Sequence, residues 1–406
     1  MEKILVVAHD LPPLLNPQAI QVGRLLYNMP PGRKLYVVTS DDLSCKRDHE
    51  YYADIRKKFE DLIILKFKRT FFKKVLTRIF RLFFEIPDVF LYWHIRAYKE
   101  IVKKWGGEKF DGIVVFACPF SSSILGLLLK KRFGAKLINF FSDPWAENPH
   151  FGYKALAKKI NLYLEDLVMN SSDKIVFASP EMMDMYRKQY SFITNKSYFL
   201  EHSYDPSLHA GTRPTAFDNR VILRHVGSFY KTRNAKYIIE ALKNLKEKDI
   251  NILNSISLEI IGDIPQGYSR EHIDLARNYG VDGAINFSRN TSYSESLKMM
   301  GSADVLVLID APIEGSVYLP SKLIDYIGAD RPILALTPKN SASAKVMSLS
   351  GGWVVEPDDI AGIEEALIDI INNYREGSLD KFKPRQAAKQ YFIVSAIEAR
   401  LAKILE

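Results

Sequence analysis

The sequence predicts an α/β protein built from two doubly wound parallel sheets in tandem, and three observations carry that prediction. Short apolar runs alternate with helix-length amphipathic segments almost throughout, as expected of parallel strands joined by crossover helices. The chain has 406 residues, more than one ordinary core organises, so two domains of about 150–200 residues are the default. A polar, irregular stretch with two prolines, residues 201–220, breaks the alternation near the middle. The expected organisation is residues 1–205, residues 206–385, and a final helix over 386–406 that packs back on the first domain.

In chain order, the first half offers KILVVAHD, KLYVVTS, LIILKFK, GIVVFAC, KLINFFSD and KIVFAS as buried strands. Their near-continuous apolar character is what a sheet covered on both faces requires. The second half repeats the scheme with VILRHVGS, SLEIIGD, AINFSR, VLVLID, PILALT and WVVEPD. The opening MEKILVVAHD has too short an apolar run for a signal peptide and reads as a first strand.

Composition narrows the function classes. Hydrophobic content of 47% and charged content of 26% belong to a globular protein, which excludes disordered and fibrous classes. Two cysteines, Cys45 and Cys118, supply neither a disulfide framework nor a four-thiolate zinc site, which fits a reducing cytoplasm. No run approaches the roughly 20 apolar residues of a membrane span. The net charge of +8 calls for an anionic partner: nucleic acid, nucleotide phosphate or anionic lipid. No nucleic-acid-binding motif accompanies the charge.

Ligands of open α/β sheets bind outside the carboxyl ends of the strands, so two such sheets facing each other would form a cleft lined by strand-end loops. After VILRHVG comes a loop with Gly227, Lys231 and Arg233; a glycine admits an anion to the backbone, and the cations neutralise it. Gly262 and Asp263 follow the next strand, and Arg289 with Asn290 the one after. Each of these alone is equally readable as a solvated loop or a turn cap. The stretch YLPSKLIDYIGADRPILAL, residues 318–336, is more informative. It places Pro320 at the first position of a helix that follows a strand, with Ser321 and Lys322 beside the positive helix end and Asp325 one turn along. The helix end and Lys322 suit phosphates, while the Asp325 carboxylate suits a ribose diol. The competing reading is an ordinary Lys–Asp surface pair.

PSKLIDYIGADRPILAL, preceded by SADVLVLID, resembles the donor-binding segment of glycosyltransferase family 4, and HVGSFYKTRN and IIGD fall in that family's order. The resemblance covers nearly the whole C-terminal half and implies the GT-B fold, two Rossmann-like domains facing a central cleft. The nearest branch makes bacterial O-antigen and capsule. The family's better-known motif has two glutamates separated by seven residues. Here Asp325 stands for the second, Val317 occupies the place of the first, and Glu314 is the nearest acidic residue to that place. Leu323 falls within the same donor segment.

In the first half, the loop after the first strand carries NPQA where the family has a glycine-rich run, so Asn16 and Gln18 are either ligand contacts or loop structure. LINFFSDPWAENP places Ser142, Asp143, Pro144 and Trp145 directly after a buried strand and resembles the family's loop beside sugar and acceptor. Asp143 then binds sugar hydroxyls and Trp145 stacks on a sugar face; otherwise Asp143 caps the next helix and Trp145 is core. The serines of FACPFSSSILG are best read as a helix cap. FEIPDVFLYWHIRA, residues 84–97, also resembles a family segment.

The resemblance implies a retaining, metal-independent transfer of a sugar from a UDP- or GDP-linked donor to a glycan or polyprenyl-linked acceptor. Lys231, Arg233, Lys322 and the helix end would stabilise the departing diphosphate. Asp143 completes the expected catalytic set. No further cofactor is expected, and a nucleotide-sugar epimerase or hydrolase is the alternative on the same scaffold. Finally, KFKRTFFKKVLTRIFRLFFE, residues 66–85, combines apolar residues at helical spacing with Lys73, Lys74, Arg78 and Arg81. It is either a core helix with solvated charges or a helix lying on the anionic inner face of the plasma membrane, and its unbroken positive sign favours the membrane.

Overall fold

The computed structural model describes residues 1–67, 86–148, 153–209, 220–229, 232–262, 266–289 and 291–406, and for 266–269 the backbone only. The chain forms two compact units: Met1–His202 with Val394–Glu406, and Ser203–Ile393.

The first unit holds seven strands: β1 (Lys3–Val7), β2 (Lys34–Asp42), β3 (Asp61–Phe67), β4 (Gly112–Phe116), β5 (Lys136–Phe141), β6 (Lys174–Phe177) and β7 (Ser197–Phe199). Their order is β3-β2-β1-β4-β5-β6-β7, all parallel. The connecting helices are α1 (Pro17–Tyr27), α2 (Leu91–Trp105), α3 (Ser121–Phe133), α4 (Ala155–Ser171) and α5 (Pro180–Gln189). β1 pairs with β2 on one side and β4 on the other, Leu5 lying between Tyr36 and Ile113. The strand order reverses there, which is where such sheets place ligands. Ile4, Leu5, Val6 and Val7 have no exposed surface because helices cover both faces. β3 departs from the buried-strand expectation. As the edge strand it alternates buried Ile63, Leu65 and Phe67 with exposed Ile64 and Lys66. β7 is SYF, with no apolar run to reveal it, and is absent from the strands expected above.

The second unit holds β8 (Val221–Val226), β9 (Ile256–Ile261), β10 (Ile285–Ser288), β11 (Val305–Ile309), β12 (Ile333–Leu336) and β13 (Trp353–Val355). They run parallel in the order β10-β9-β8-β11-β12-β13, so this sheet reverses between β8 and β11. Its helices are α6 (Lys236–Lys248), α7 (Ile250–Asn254), α8 (Gln266–Tyr279), α9 (Tyr293–Gly301), α10 (Ser321–Gly328), α11 (Ala342–Ser350), α12 (Ile360–Arg375) and α13 (Gln386–Phe392). Val221, Leu223, Val305 and Val307 of the central strands pack with Ile238 and Leu242 of α6 and Leu367 of α12 in one core.

The single final helix expected over 386–406 is two helices. Ile393 takes an extended conformation and bridges to Tyr204, which ends α13 within the second unit. α14 (Val394–Leu405) belongs to the first unit, where Lys174 Nζ donates to the Ile404 carbonyl at 2.7 Å and Arg400 pairs with Glu201 at 2.9 Å.

Candidate functional site

In the second unit the polar groups converge where the sheet order reverses. β8 ends in His225, Val226 and Gly227, β11 ends in Asp310, and α10 starts with Pro320 as its N-cap rather than as its first residue. Tyr326 fixes that helix: its hydroxyl accepts from Val226 N at 2.9 Å and lies 3.4 Å from the Val307 carbonyl, tying α10 to both central strands. One turn earlier, Lys322 lies across Gly227. A Cβ on Gly227 would overlap Lys322 Nζ, and one on Gly262 would overlap the Gly227 carbonyl, so each glycine admits the group above it.

Lys322 Nζ is 3.5 Å from His225 Nε2. Among the described residues no carboxylate lies within ion-pair distance of it. Arg233 pairs with Asp310 at 3.2 Å, and Thr337 Oγ1 donates to the other Asp310 oxygen at 3.0 Å. Lys322 keeps partial exposure, yet its amine is surrounded by enough protein that burial, with the nearby Arg233 charge, brings its pKa down to about 7, against an opposing pull from Asp310. His225 is pushed well below its usual value by burial and then by Lys322. Asp310 thus pairs with Arg233 and also draws on the Lys322 amine.

The other residues expected to meet a donor are placed differently. Asp325 sits one turn past Lys322 and is only 3% exposed. Arg289 stands exposed at the end of the edge strand β10, two strands from β8, so the structure does not bring it to Lys322. Glu314 is exposed in the loop before α10. The Leu323 side chain is fully buried, and its N–H donates to the Pro320 carbonyl at 3.0 Å. Lys231 and Asp263 lie outside the described residues, as do Asn290 and the membrane candidates Lys73, Lys74, Arg78 and Arg81.

In the first unit a second polar rim follows β1, β4 and β5. His9 Nδ1 and Asp10 Oδ1 are 2.6 Å apart, and Asn16 Nδ2 donates to the other Asp10 oxygen at 3.0 Å. Asn16 also accepts from Ala19 N at 2.8 Å as the N-cap of α1, so it is spent on structure. Ser142 Oγ donates to Gln18 at 3.0 Å and lies 3.3 Å from Asp143, so Gln18, Ser142 and Asp143 are brought together. Asp143 is not the cap of the following helix, whose N-cap is Lys154. Burial, then the Asp143, Asp10 and Asp88 carboxylates, push the Cys118 thiol well up, which places the three acids around it.

Trp145 does not stack on a sugar. It has no exposed surface; its Nε1 donates to Asn161 at 2.8 Å, its N–H to Tyr186 at 2.9 Å, and its ring stacks on Phe120. Glu165 secures the same loop, accepting from Ala146 N at 2.9 Å, Tyr186 at 2.9 Å and Tyr190 at 2.8 Å. The loop's buried end thus anchors Ser142 and Asp143 at the rim. The serines are not side-chain caps either. Ser121 donates its N–H and hydroxyl to Asp88 at 2.8 and 2.6 Å, and Ser121 and Ser122 hold the two nitrogens of His94 at 2.8 Å each. Asp88 and His94, both in the stretch 84–97, are therefore parts of a buried network at the start of α3. Asp310 and His225 were missed by the sequence reading; a polar residue ending an otherwise apolar strand was the available signal.

Residues 213–391 match the family described as glycosyl transferases group 1. No curated protein matches the chain in sequence. Solved structures match along its whole length. Anabaena HepE in complex with UDP and glucose is 12% identical with a TM-score of 0.68, covering 100% of this chain and 99% of that one. Sucrose-phosphate synthase from Thermosynechococcus elongatus is 13% identical with a TM-score of 0.70, covering 100% and 98%. The apo form of the lipopolysaccharide outer core galactosyltransferase WaaB is 11% identical with a TM-score of 0.60, covering 99% of each chain. These likenesses establish the GT-B fold that the sequence resemblance implied.

Proposed function

From a GT-B fold whose residues 213–391 match the glycosyl transferases group 1 family, we propose a retaining glycosyltransferase that uses a nucleotide-sugar donor. The observation that carries this reading is the gathering of Lys322 and Arg233 at the reversal point of the second sheet, where among the described residues no carboxylate comes within ion-pair distance of Lys322. A diphosphate supplies the missing negative charge, with the start of α10 presenting backbone N–H groups beside it. In this reading Lys322 and Arg233 hold the departing diphosphate without a metal, Asp325 accepts the ribose hydroxyls, and Ser142, Gln18 and Asp143 of the first unit meet sugar or acceptor hydroxyls. UDP in the HepE complex supports UDP as the donor's nucleotide, and the WaaB likeness supports a surface glycan as acceptor. Among the described residues no helix is long and apolar enough to cross a membrane; a polyprenyl-linked acceptor would bring the protein to the cytoplasmic membrane surface through the basic stretch at 66–85.

The test is incubation with UDP- and GDP-sugars, with and without polyprenyl-linked or glycan acceptors, in the presence of EDTA. The reading predicts sugar transfer only when acceptor is present, with the donor's anomeric configuration kept. Conversion of the donor sugar without acceptor would favour an epimerase or hydrolase instead.

A further inference from the structure

His225 belongs to the central strand of the second unit and has no exposed surface. Its Nδ1 is 2.9 Å from the Val307 carbonyl. A carbonyl only accepts, so Nδ1 carries the proton and Nε2 presents a lone pair. That lone pair points at Lys322 Nζ, 3.5 Å away, while Phe229 stacks on the imidazole at 4.7 Å and keeps the ring from turning. A lysine with four rotatable bonds is thereby caught between an acceptor on β8 and the open face of Gly227.

We infer that His225 is a positioning residue: through Val307 and Phe229 it holds one tautomer and one orientation, and so aims the Lys322 amine at a diphosphate entering above Gly227. This rests on the nucleotide-sugar reading. The groups that act on the amine are His225 on β8, Arg233 in the following loop and Asp310 at the end of β11, with Asp325 and Tyr326 further along its own helix. Arg233 and burial disfavour its charge in the empty pocket, and the diphosphate restores it, so the ligand enters together with a proton. The neutral imidazole is a requirement of the device, because an imidazolium would repel the amine it aims; burial keeps His225 neutral through the same range.

The experiment is calorimetric titration of the full chain at pH 7.5 with UDP-glucose and GDP-mannose, diphosphodiesters with no titrating phosphate near neutrality, in buffers of different ionisation enthalpy. The wild type should take up about 0.7 proton per ligand bound, as follows for an amine half-charged near pH 7. His225→Phe, which keeps a ring but no acceptor, should weaken binding about tenfold, as a lost hydrogen bond to a charged group does. The double variant with Lys322→Met should bind no worse than Lys322→Met alone, because His225 acts only through the lysine. His225→Gln, which offers an amide N–H and a carbonyl oxygen as the imidazole offers its two nitrogens, should recover most of the affinity. Multiplicative losses in the double variant, or failure of His225→Gln to rescue, would overturn the positioning role. Binding without proton uptake would overturn the aimed, half-charged amine. If neither ligand binds the wild type, the nucleotide-sugar reading falls, and this inference with it.

Discussion

Replacing Gly227 with Ala separates folding from ligand binding at the pocket. The residue has φ 147°, where side chains are strained, and the new Cβ would stand 2.6 Å from Lys322 Cε and overlap Nζ. The backbone cost is about 1–3 kcal/mol, which a stability of about 5–15 kcal/mol absorbs. The clash itself costs the fold little, because it involves the far end of a flexible side chain that swings away. The amine must retreat by about 1.4 Å or more to restore ordinary contact. On the nucleotide-sugar reading, that displacement removes a hydrogen bond between a charged amine and a phosphate, worth about 1.5–3 kcal/mol, or roughly 10–150-fold in affinity. Melting and nucleotide titration of the same preparation measure both quantities. Gly283→Ala is the control, since its Cβ would meet nothing within 4 Å, and it should change stability by no more than about 0.5 kcal/mol. Gly227→Ala protein that melts a few degrees lower yet binds a nucleotide sugar within twofold of wild type would refute the placement of Lys322 in the donor site.

Trp145→Ala should cost about 3–5 kcal/mol and lower the melting temperature by roughly 10 °C, because the ring is core; a variant as stable as wild type with impaired transfer would return Trp145 to the sugar. Asp143→Asn should cripple transfer while leaving nucleotide affinity nearly intact, and parallel loss of nucleotide binding in a titration would mark it as a folding residue. Affinity for a diphosphodiester should fall about tenfold or more from pH 6.5 to pH 8.5, because the Lys322 amine is charged below about pH 7 and above it must recruit a proton. The ligand-free protein runs the opposite way. Unfolded lysine keeps its proton up to its ordinary pKa, so between about 7 and 10.5 the unfolded chain binds more protons and the Lys322 contribution to stability rises with pH. Equal pH dependence in Lys322→Met would assign both effects elsewhere.

All twelve strands read from the sequence are present, because each has enough apolar residues to be buried by helices on its sheet faces. β7 opens on Ser197 and has only two half-buried aromatics after it, which gave no such signal, and the break between α13 and α14 was hidden because Ile393 is apolar like its neighbours. At the site, Lys322 and Gly227 were legible from position alone: one at a helix start, one at a strand end. Their mutual packing was not, since it depends on α10 being moored by Tyr326. Trp145 was misread because an aromatic after a strand serves a sugar or a core equally well until Asn161 and Tyr186 are seen to hold it. His225 and Asp310 required the sheet order, which brings β8 beside β11.

The most direct test of the donor site is a crystal structure of the full chain with UDP-glucose or GDP-mannose bound. The account predicts diphosphate oxygens within hydrogen-bond distance of Lys322 Nζ and beside the first backbone N–H groups of α10, with the ribose hydroxyls at Asp325. A diphosphate bound away from Lys322 and Arg233, for instance at the Asp10–Asp143 rim of the first unit, would contradict it.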